Sequence, residues 1–205
     1  MPHTRESVAW AELPDGAVVG TSSLRRRAQL LVARPDLQVV EFRGNVQTRL
    51  KKLDDGVASC TFLAMAGLNR LGRDDVPATP IAPEDMLPAV AQGAIGVAAR
   101  TQDERIQALL APLDHPETAL RVVAERAFLR RVEGGCQIPV GAHATVDGDD
   151  LTLKAAICAL DGAAAVEGVI TGPADAAADL GVELAVDLLE QGGAGILAEI
   201  RAADE

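Results

Sequence analysis

Short apolar segments alternate with helical segments over the first third of the chain, and this alternation constrains the fold more than any other feature. The predicted elements, strands and helices in turn, are 17–20, 24–33, 37–42, 46–55, 60–65 and 66–72. Strand–helix alternation is typical of an α/β layer in which right-handed crossovers connect a mostly parallel sheet. We therefore predict such a layer for this part of the chain.

A proline-rich segment, 76–90, follows the layer and indicates a connection between two domains. After it, the apolar run GAIGVAA (93–99) predicts a buried strand, and 103–110 predicts a short helix. A buried strand needs neighbouring strands to pair with.

The last part of the chain has a different pattern. Segment 115–135 carries apolar residues at helical spacing, with Pro116 near its start and Gly134 at its end. The runs AHATV, LTLKAAIC and AAVEGVI predict three strands joined by DGDD and LDG turns, and 174–191 predicts a helix. These elements predict a small α+β domain, a three-stranded sheet covered by helices.

Composition excludes several classes of protein. The chain of 205 residues is 48% hydrophobic and 24% charged, which is enough to bury a core in one or two domains. No apolar run approaches the roughly 20 residues that cross a bilayer, and the N-terminus lacks the features of a secretory signal, so we expect a cytoplasmic protein. The three widely spaced cysteines argue against a disulfide framework and against a zinc site, and no metal is expected.

The charges are distributed unevenly. Segment 20–52 holds eight Lys/Arg against two Asp/Glu, a net charge of +6, whereas 143–205 holds two against thirteen, a net charge of −11. An acidic protein with one basic segment repels nucleic acid and anionic membranes over most of its surface, and the chain has few aromatic residues for base stacking. The expected partner of the basic segment is therefore a small polyanion.

The basic segment begins with VVGTSSLRRRAQL (18–30), in which a strand ends at a glycine and a helix follows. The turn residues Thr21, Ser22 and Ser23 precede the helix, whose first backbone N–H groups and dipole favour an anion. Arginines at this turn, at the end of the next strand and within the helix after that strand are expected to converge on the same crevice; they are Arg25, Arg26, Arg43 and Arg49. The alternative is a solvated helix face, which we expect for Arg27 and Arg34.

The second candidate is the thiol in RRVEGGCQIPVGA (130–142). Cys136 follows a glycine pair at the end of the predicted helix, and Arg130 and Arg131 are near enough in sequence to lower a thiol pKa. We therefore predict a nucleophilic or covalent-attachment role for Cys136. Cys60 and Cys158 lie in apolar strands and are expected to act as small buried hydrophobic residues.

Several blocks together resemble the porphobilinogen deaminase (hydroxymethylbilane synthase) family of the tetrapyrrole pathway. In chain order they are VVGTSSLRRRAQL, FRGNVQTRL, LAMAGLNRLG, LPAVAQGAIGV, LDHPETALRVVAERAFL and EGGCQIPVGA. The resemblance extends over nearly the whole chain, from about WAELPDG onward. It implies that Cys136 holds a dipyrromethane cofactor by a thioether bond, and that the enzyme makes this cofactor from its own substrate.

The resemblance also names the anion. Each porphobilinogen ring carries acetate and propionate groups, and Arg25, Arg26, Arg43 and Arg49 match family arginines that bind them. It further implies that Thr21, Ser22 and Ser23 contact these carboxylates and that Gln92 and Gly93 contact the cofactor. Arg70 matches the family's binding residues less closely. The implied reaction is that of a transferase of haem biosynthesis, which condenses four porphobilinogen molecules stepwise, releases ammonia and finally frees hydroxymethylbilane.

The resemblance implies a domain order in which this sequence opens just before the second domain. Segment 1–90 is expected to be a periplasmic-binding-protein-like α/β domain, 91–114 the return segment of a first such domain, and 115–205 the α+β domain that carries the cofactor. The catalytic aspartate belongs to a preceding segment in the family. No catalytic residue is therefore assigned in this chain, which is expected to be inactive alone, and the family is expected to be monomeric.

Two differences from the family pattern and two rival functions remain. Ala91 stands where glycine is usual, and Ser59 stands where an acidic residue is usual. One rival is a non-catalytic anion-binding module of the periplasmic-binding-protein type, which would leave Cys136 unmodified. The other is a structural or partner-binding remnant, whose stability would not depend on any ligand.

Overall fold

The computed structural model describes residues 9–133 and 138–203. The chain divides into two compact units. The first comprises Met1–Met86 and Cys158–Ala165, and the second comprises Leu87–Ile157 and Val166–Glu205. In the described part of the chain, every helix is too short or too polar to cross a membrane.

The first unit contains the predicted α/β layer. Its elements are β1 (Val18–Gly20), α1 (Leu24–Ala33), β2 (Gln38–Val40), α2 (Val46–Asp54), β3 (Cys60–Thr61) and α3 (Met65–Arg70). The strand order is β2-β1-β3, and both pairings are parallel, with Val19 opposite Val39 and Cys60. The α/β interpretation is confirmed, although the strands are shorter than the apolar runs that predicted them.

Side-chain caps fix where the first two helices begin. The Ser23 hydroxyl accepts a hydrogen bond from the Arg26 N–H at 3.4 Å and caps α1, while Asn45 Oδ1 accepts one from the Thr48 N–H at 2.9 Å and caps α2. Pro35 follows α1 closely and cannot continue it. Both helices of the basic segment thus begin at defined residues.

The core of the first unit lies around β1 and α1. Its buried members are Leu13, Val19, Leu30, Leu37, Phe62 and Met86. Gly20 ends β1 against the buried ring of Phe42, and a Cβ there would lie 2.5 Å from two atoms of the ring. Only glycine allows this close approach, by which the end of β1 packs against the segment after β2.

The second unit contains the predicted antiparallel sheet with its helices, together with α4 (Glu104–Leu110) from the segment that was expected to belong to another domain. Its other elements are α5 (Pro116–Arg131), β4 (Val140–Asp147), β5 (Asp150–Cys158), β6 (Ala165–Pro173), α6 (Ala177–Leu188) and α7 (Ala194–Ala203). The sheet order is β4-β5-β6, and β4 pairs antiparallel with β5 from Val140–Ile157 to Asp147–Asp150. A Cβ at Gly181 in α6 would lie 2.9 Å from the Ala127 Cβ in α5, so this glycine lets the two helices pack closely.

The predicted helix over 174–191 differs from the structure. A 3₁₀ turn (Ala174–Ala176) leads into α6, and a π turn (Leu189–Gly193) joins α6 to α7. Gly192 has φ 116° in this turn, a conformation that favours glycine. The glycine pair therefore bends the chain and is followed by a further helix that was not predicted.

The predicted buried strand over 93–99 is wrong. These residues form no regular structure and are exposed, with Ile95 87% and Val97 61% accessible. In the part of the chain that the structure describes, the sheets consist of β1–β6 alone, so no strand lies beside this segment to pair with it. The helix predicted after it is confirmed as α4, capped by the Asp103 carboxylate, which accepts from the Ile106 N–H.

Candidate functional site

The turn between β1 and α1 is built by its three hydroxyl side chains. Thr21 is buried, and its hydroxyl accepts from the Ser23 N–H at 3.2 Å. The Ser22 hydroxyl accepts from the Phe42 N–H at 3.0 Å, which fastens the turn to the segment after β2. Because each hydroxyl acts here as an acceptor, its O–H donor can still serve a ligand.

Two of the four predicted arginines meet at one backbone oxygen. Nη1 of Arg26 donates to the Phe62 carbonyl at 3.2 Å, and Nη1 of Arg49 donates to the same oxygen at 3.4 Å. Arg26 also lies over the Phe62 ring, 5.9 Å from its centroid, and Arg49 donates from Nε to the Gly44 carbonyl at 2.9 Å. The convergence expected of parallel strands thus brings α1 and α2 together at this point.

Arg25 adds a third positive charge beside Arg26. Its side chain is buried, and burial lowers the pKa of Arg25 to about 10, with the charge of Arg26 acting in the same direction. Burial and the charge of Arg49 lower the pKa of Arg26 as well. Burial is the larger cause of both pKa shifts, and the like charge of a neighbouring arginine adds to it, so a bound carboxylate would favour the charged forms of Arg25 and Arg26. We call Arg25, Arg26 and Arg49 the arginine cluster.

Arg43, the fourth predicted arginine, does not donate to the shared carbonyl. Its guanidinium is 81% exposed and pairs with Glu41 at 2.5 Å. An acid two residues away holds this flexible side chain in a local ion pair. Arg27 is exposed as expected, whereas Arg34 is not a surface residue: it is 17% exposed and donates to the Ala11 and Leu13 carbonyls.

Lys52 is a basic residue beside the cluster that the sequence analysis did not single out. Its Nζ donates to the Arg43 carbonyl at 3.0 Å and lies 5.4 Å from the centroid of the Phe42 ring. Its position three residues after Arg49 on α2 indicated that it shares a helix face with that arginine.

Gln92 and Gly93 lie in the second unit, on an exposed turn over 89–94. The Gln92 N–H donates to the Ala89 carbonyl at 2.9 Å, and the Ala94 N–H donates to the Ala91 carbonyl at 3.1 Å. Ala91 has φ 57° and Gly93 has φ 94°. Both residues take left-handed conformations, which an alanine adopts only under strain.

The three cysteines have different surroundings. Cys136 lies outside the described residues, so its role stays a prediction. Cys158 is buried, as predicted. Cys60 is half-buried, and burial raises the pKa of its thiol, which makes it a poor nucleophile.

Comparison with protein families assigns both parts of the chain. Residues 3–108 match the model described as porphobilinogen deaminase, dipyromethane cofactor binding domain, and residues 119–190 match the porphobilinogen deaminase C-terminal domain. The chain belongs to the porphobilinogen deaminase family. The resemblance that the sequence blocks indicated is therefore confirmed, and the general kind of protein is a transferase of porphyrin biosynthesis.

The arginine cluster suits a dipyrromethane, the cofactor that gives this porphobilinogen deaminase domain its name. All three arginines lie within residues 3–108. A dipyrromethane made of porphobilinogen units carries several carboxylates, and guanidinium groups are the donors that match a carboxylate best. The cluster, in which Arg25 is buried and Arg26 and Arg49 are partly buried, is therefore suited to such a group.

Proposed function

We propose that this chain holds the carboxylate side chains of pyrrole rings at the arginine cluster, as part of a hydroxymethylbilane synthase. The observation that carries the proposal is the meeting of Arg26 and Arg49 at the Phe62 carbonyl, with Arg25 buried beside them. In the proposed reaction, four porphobilinogen molecules are condensed stepwise with release of ammonia. The dipyrromethane, when bound through Cys136, supplies the pyrrole carbon to which rings are added.

The residues of this chain bind and orient the rings in the proposed function. The arginine cluster fixes carboxylates, and the hydroxyls of Thr21, Ser22 and Ser23 donate further hydrogen bonds. Gln92 and Gly93 contact the cofactor from their turn, and exposed Arg43 adds long-range attraction for the polyanion. The proposal gives no residue of this chain the task of proton transfer.

The binding proposal is tested by replacing members of the cluster one at a time. Arg26→Ala and Arg49→Ala should each weaken porphobilinogen binding about tenfold or more, because each removes a charge-assisted hydrogen bond. Isothermal titration at low and high salt measures both the loss and its salt dependence. Arg27→Ala is the matched control, since Arg27 is exposed on the same helix and should bind as the unmodified chain does.

Unchanged affinity in both cluster variants would falsify this site. The attachment proposal has a separate test, the intact mass of the chain after incubation with porphobilinogen. A two-ring adduct that disappears in Cys136→Ser supports the synthase. Binding that depends on the cluster, with Cys136 left unmodified, supports the non-catalytic anion-binding module instead.

A further inference from the structure

Glu125 is a buried carboxylate of α5 that the proposed function does not use. It is 6% exposed, and its two oxygens accept hydrogen bonds from two different segments. Oε2 accepts from the Ala91 N–H at 2.6 Å, and Oε1 accepts from the Ala144 N–H in β4 at 2.9 Å. A buried carboxylate is costly unless its oxygens are satisfied, and here each oxygen has a backbone donor.

One of these donors belongs to a strained residue. Ala91 has φ 57°, and a non-glycine residue keeps such a conformation only where its surroundings enforce it. The bond from Glu125 to the Ala91 N–H provides such a restraint on the turn over 89–94. Gln92 and Gly93 follow directly in that turn.

The other donor joins the elements on either side of Cys136 in the chain. Helix α5 ends at Arg131, and β4 begins at Val140. Glu125 in α5 and Ala144 in β4 are therefore bonded across the segment that contains the thiol. A single carboxylate thus connects α5, β4 and the turn over 89–94.

We propose that Glu125 is a positioning residue, which sets the turn of Gln92 and Gly93 relative to the two elements that flank Cys136. It acts on the ligand through Ala91 and Ala144 and does not touch it. This inference rests on the proposed function, because it assigns the turn to the binding of carboxylate-bearing pyrroles.

The first test measures the two hydrogen bonds directly. Glu125→Gln keeps the shape of the side chain but replaces one acceptor oxygen by an NH2 donor, which faces a backbone N–H. Amide exchange followed by NMR should accelerate about tenfold or more at Ala91 or Ala144. The Ala174 N–H, which donates to the Asp149 carbonyl, is the reference and should not change. Unchanged exchange at both sites overturns the proposal.

The second test measures the effect on binding, with porphobilinogen as the probe. Glu125→Gln should weaken binding about tenfold, and adding Ala91→Gly should restore most of it, because glycine adopts the left-handed conformation without strain. Leu184→Val, a core substitution in α6, should lower the Tm but leave the affinity unchanged. If Glu125→Gln does not fold, Glu125→Asp, which keeps the charge but is one methylene shorter, replaces it.

The outcomes separate the two proposals. If the unmodified chain binds porphobilinogen and Glu125→Gln binds it equally well, the positioning role is wrong and the proposed function stands. A loss that Ala91→Gly does not reduce also contradicts the role, since it indicates general damage to the core. If the unmodified chain does not bind, the proposed function and the inference that rests on it both fail.

Discussion

At the scale of single residues, close packing fixes the geometry around the arginine cluster. The Phe42 ring is fully buried against Gly20, and the Phe42 N–H donates to the Ser22 hydroxyl. Phe42, in the segment after β2, therefore contacts both the end of β1 and the turn before α1. Any side chain at position 20 must displace that ring.

We therefore expect Gly20→Ala to destabilise the protein by about 1 to 3 kcal/mol, the usual effect of forcing extra volume into a packed core. Gly67→Ala in α3 is the matched control. Its Cβ would meet nothing closer than 3.7 Å, so the better helix propensity of alanine should stabilise the protein by about 0.5 to 1 kcal/mol. Urea unfolding measures both changes, and equal effects at the two positions would contradict the packing argument.

Part of the geometry around the arginine cluster follows from the sequence, and part of it depends on contacts that the sequence does not show. Arg26 and Arg49 were predicted because parallel strands bring the starts of their helices to one sheet edge. Arg43 follows the neighbouring parallel strand and was predicted on the same ground. Its exposed side chain instead forms an ion pair with Glu41. Glu125 was missed, although an acid between the buried Ala124 and Ala127 of an apolar helix face was a sign of a satisfied internal carboxylate.

At the scale of elements, an ion pair between Arg34 and Asp36 stabilises the end of α1. Arg34, which caps the end of the helix, donates from Nε and Nη2 to the Asp36 carboxylate, each at 2.7 Å. The Gly16 N–H also donates to Asp36, at 3.2 Å. These bonds tie the loop after α1 to the segment before β1.

This arrangement predicts a pH dependence of stability. The hydrogen bond from Arg34 lowers the pKa of Asp36 to about 2, and the Gly16 N–H acts in the same direction. Since the pKa in the folded state is below that of the unfolded chain, the stabilisation is fully present above about pH 4 and is lost as the pH falls towards 2.

The check is the difference in Tm between the unmodified chain and Asp36→Asn. The difference should be largest near neutral pH, should shrink below about pH 4 and should be lost as the pH falls through about 2. A difference that stays constant over this range would mean that Asp36 is not linked to folding in this way.

Helix starts were predicted well because caps are local, whereas the strand at 93–99 was not. Ser23 and Asn45 act through neighbouring residues, so the sequence contains all that is needed to predict α1 and α2. An apolar run such as 93–99 forms a strand only if another segment provides a strand to pair with, and the run itself does not show whether one does. The sequence does not predict helix α7, because a glycine pair is typical of a helix end, whereas Gly192 and Gly193 here lie in a bend between two helices.

At the scale of the whole molecule, the apolar segment 93–99 is exposed to solvent. Ile95 and Val97 are more than half exposed, in contrast to the fully buried Ile157 of β5. An exposed apolar segment of this kind can pair with another chain. The segment therefore predicts concentration-dependent association.

Replacing Ile95 and Val97 together by lysine should reduce that association, which light scattering measures over a range of concentrations. The Tm should change little, because exposed side chains contribute within about 0.5 kcal/mol to folding. Ile157→Ala is the contrasting variant and should cost about 2 to 5 kcal/mol. A large loss of stability in the double lysine variant would show that the segment is packed in solution.

The fold class of each part of the chain was predictable because the type of each sheet follows from a pattern of neighbouring residues. The alternation of strand and helix gave the parallel layer around Val19, and short turns such as that at Gly148 gave the antiparallel sheet. The burial of Arg25 could not be predicted in this way, since it depends on packing between elements far apart in sequence.

The carbonyl of Phe62 has a consequence for how fast a ligand is captured. The guanidinium groups of Arg26 and Arg49 both donate to this neutral oxygen. In the proposed function, a carboxylate that binds there therefore replaces ordinary hydrogen bonds, each worth about 0.5 to 1.5 kcal/mol. The rate of capture is then governed by electrostatic encounter with the basic segment, and it should slow as added salt shortens the range of that attraction.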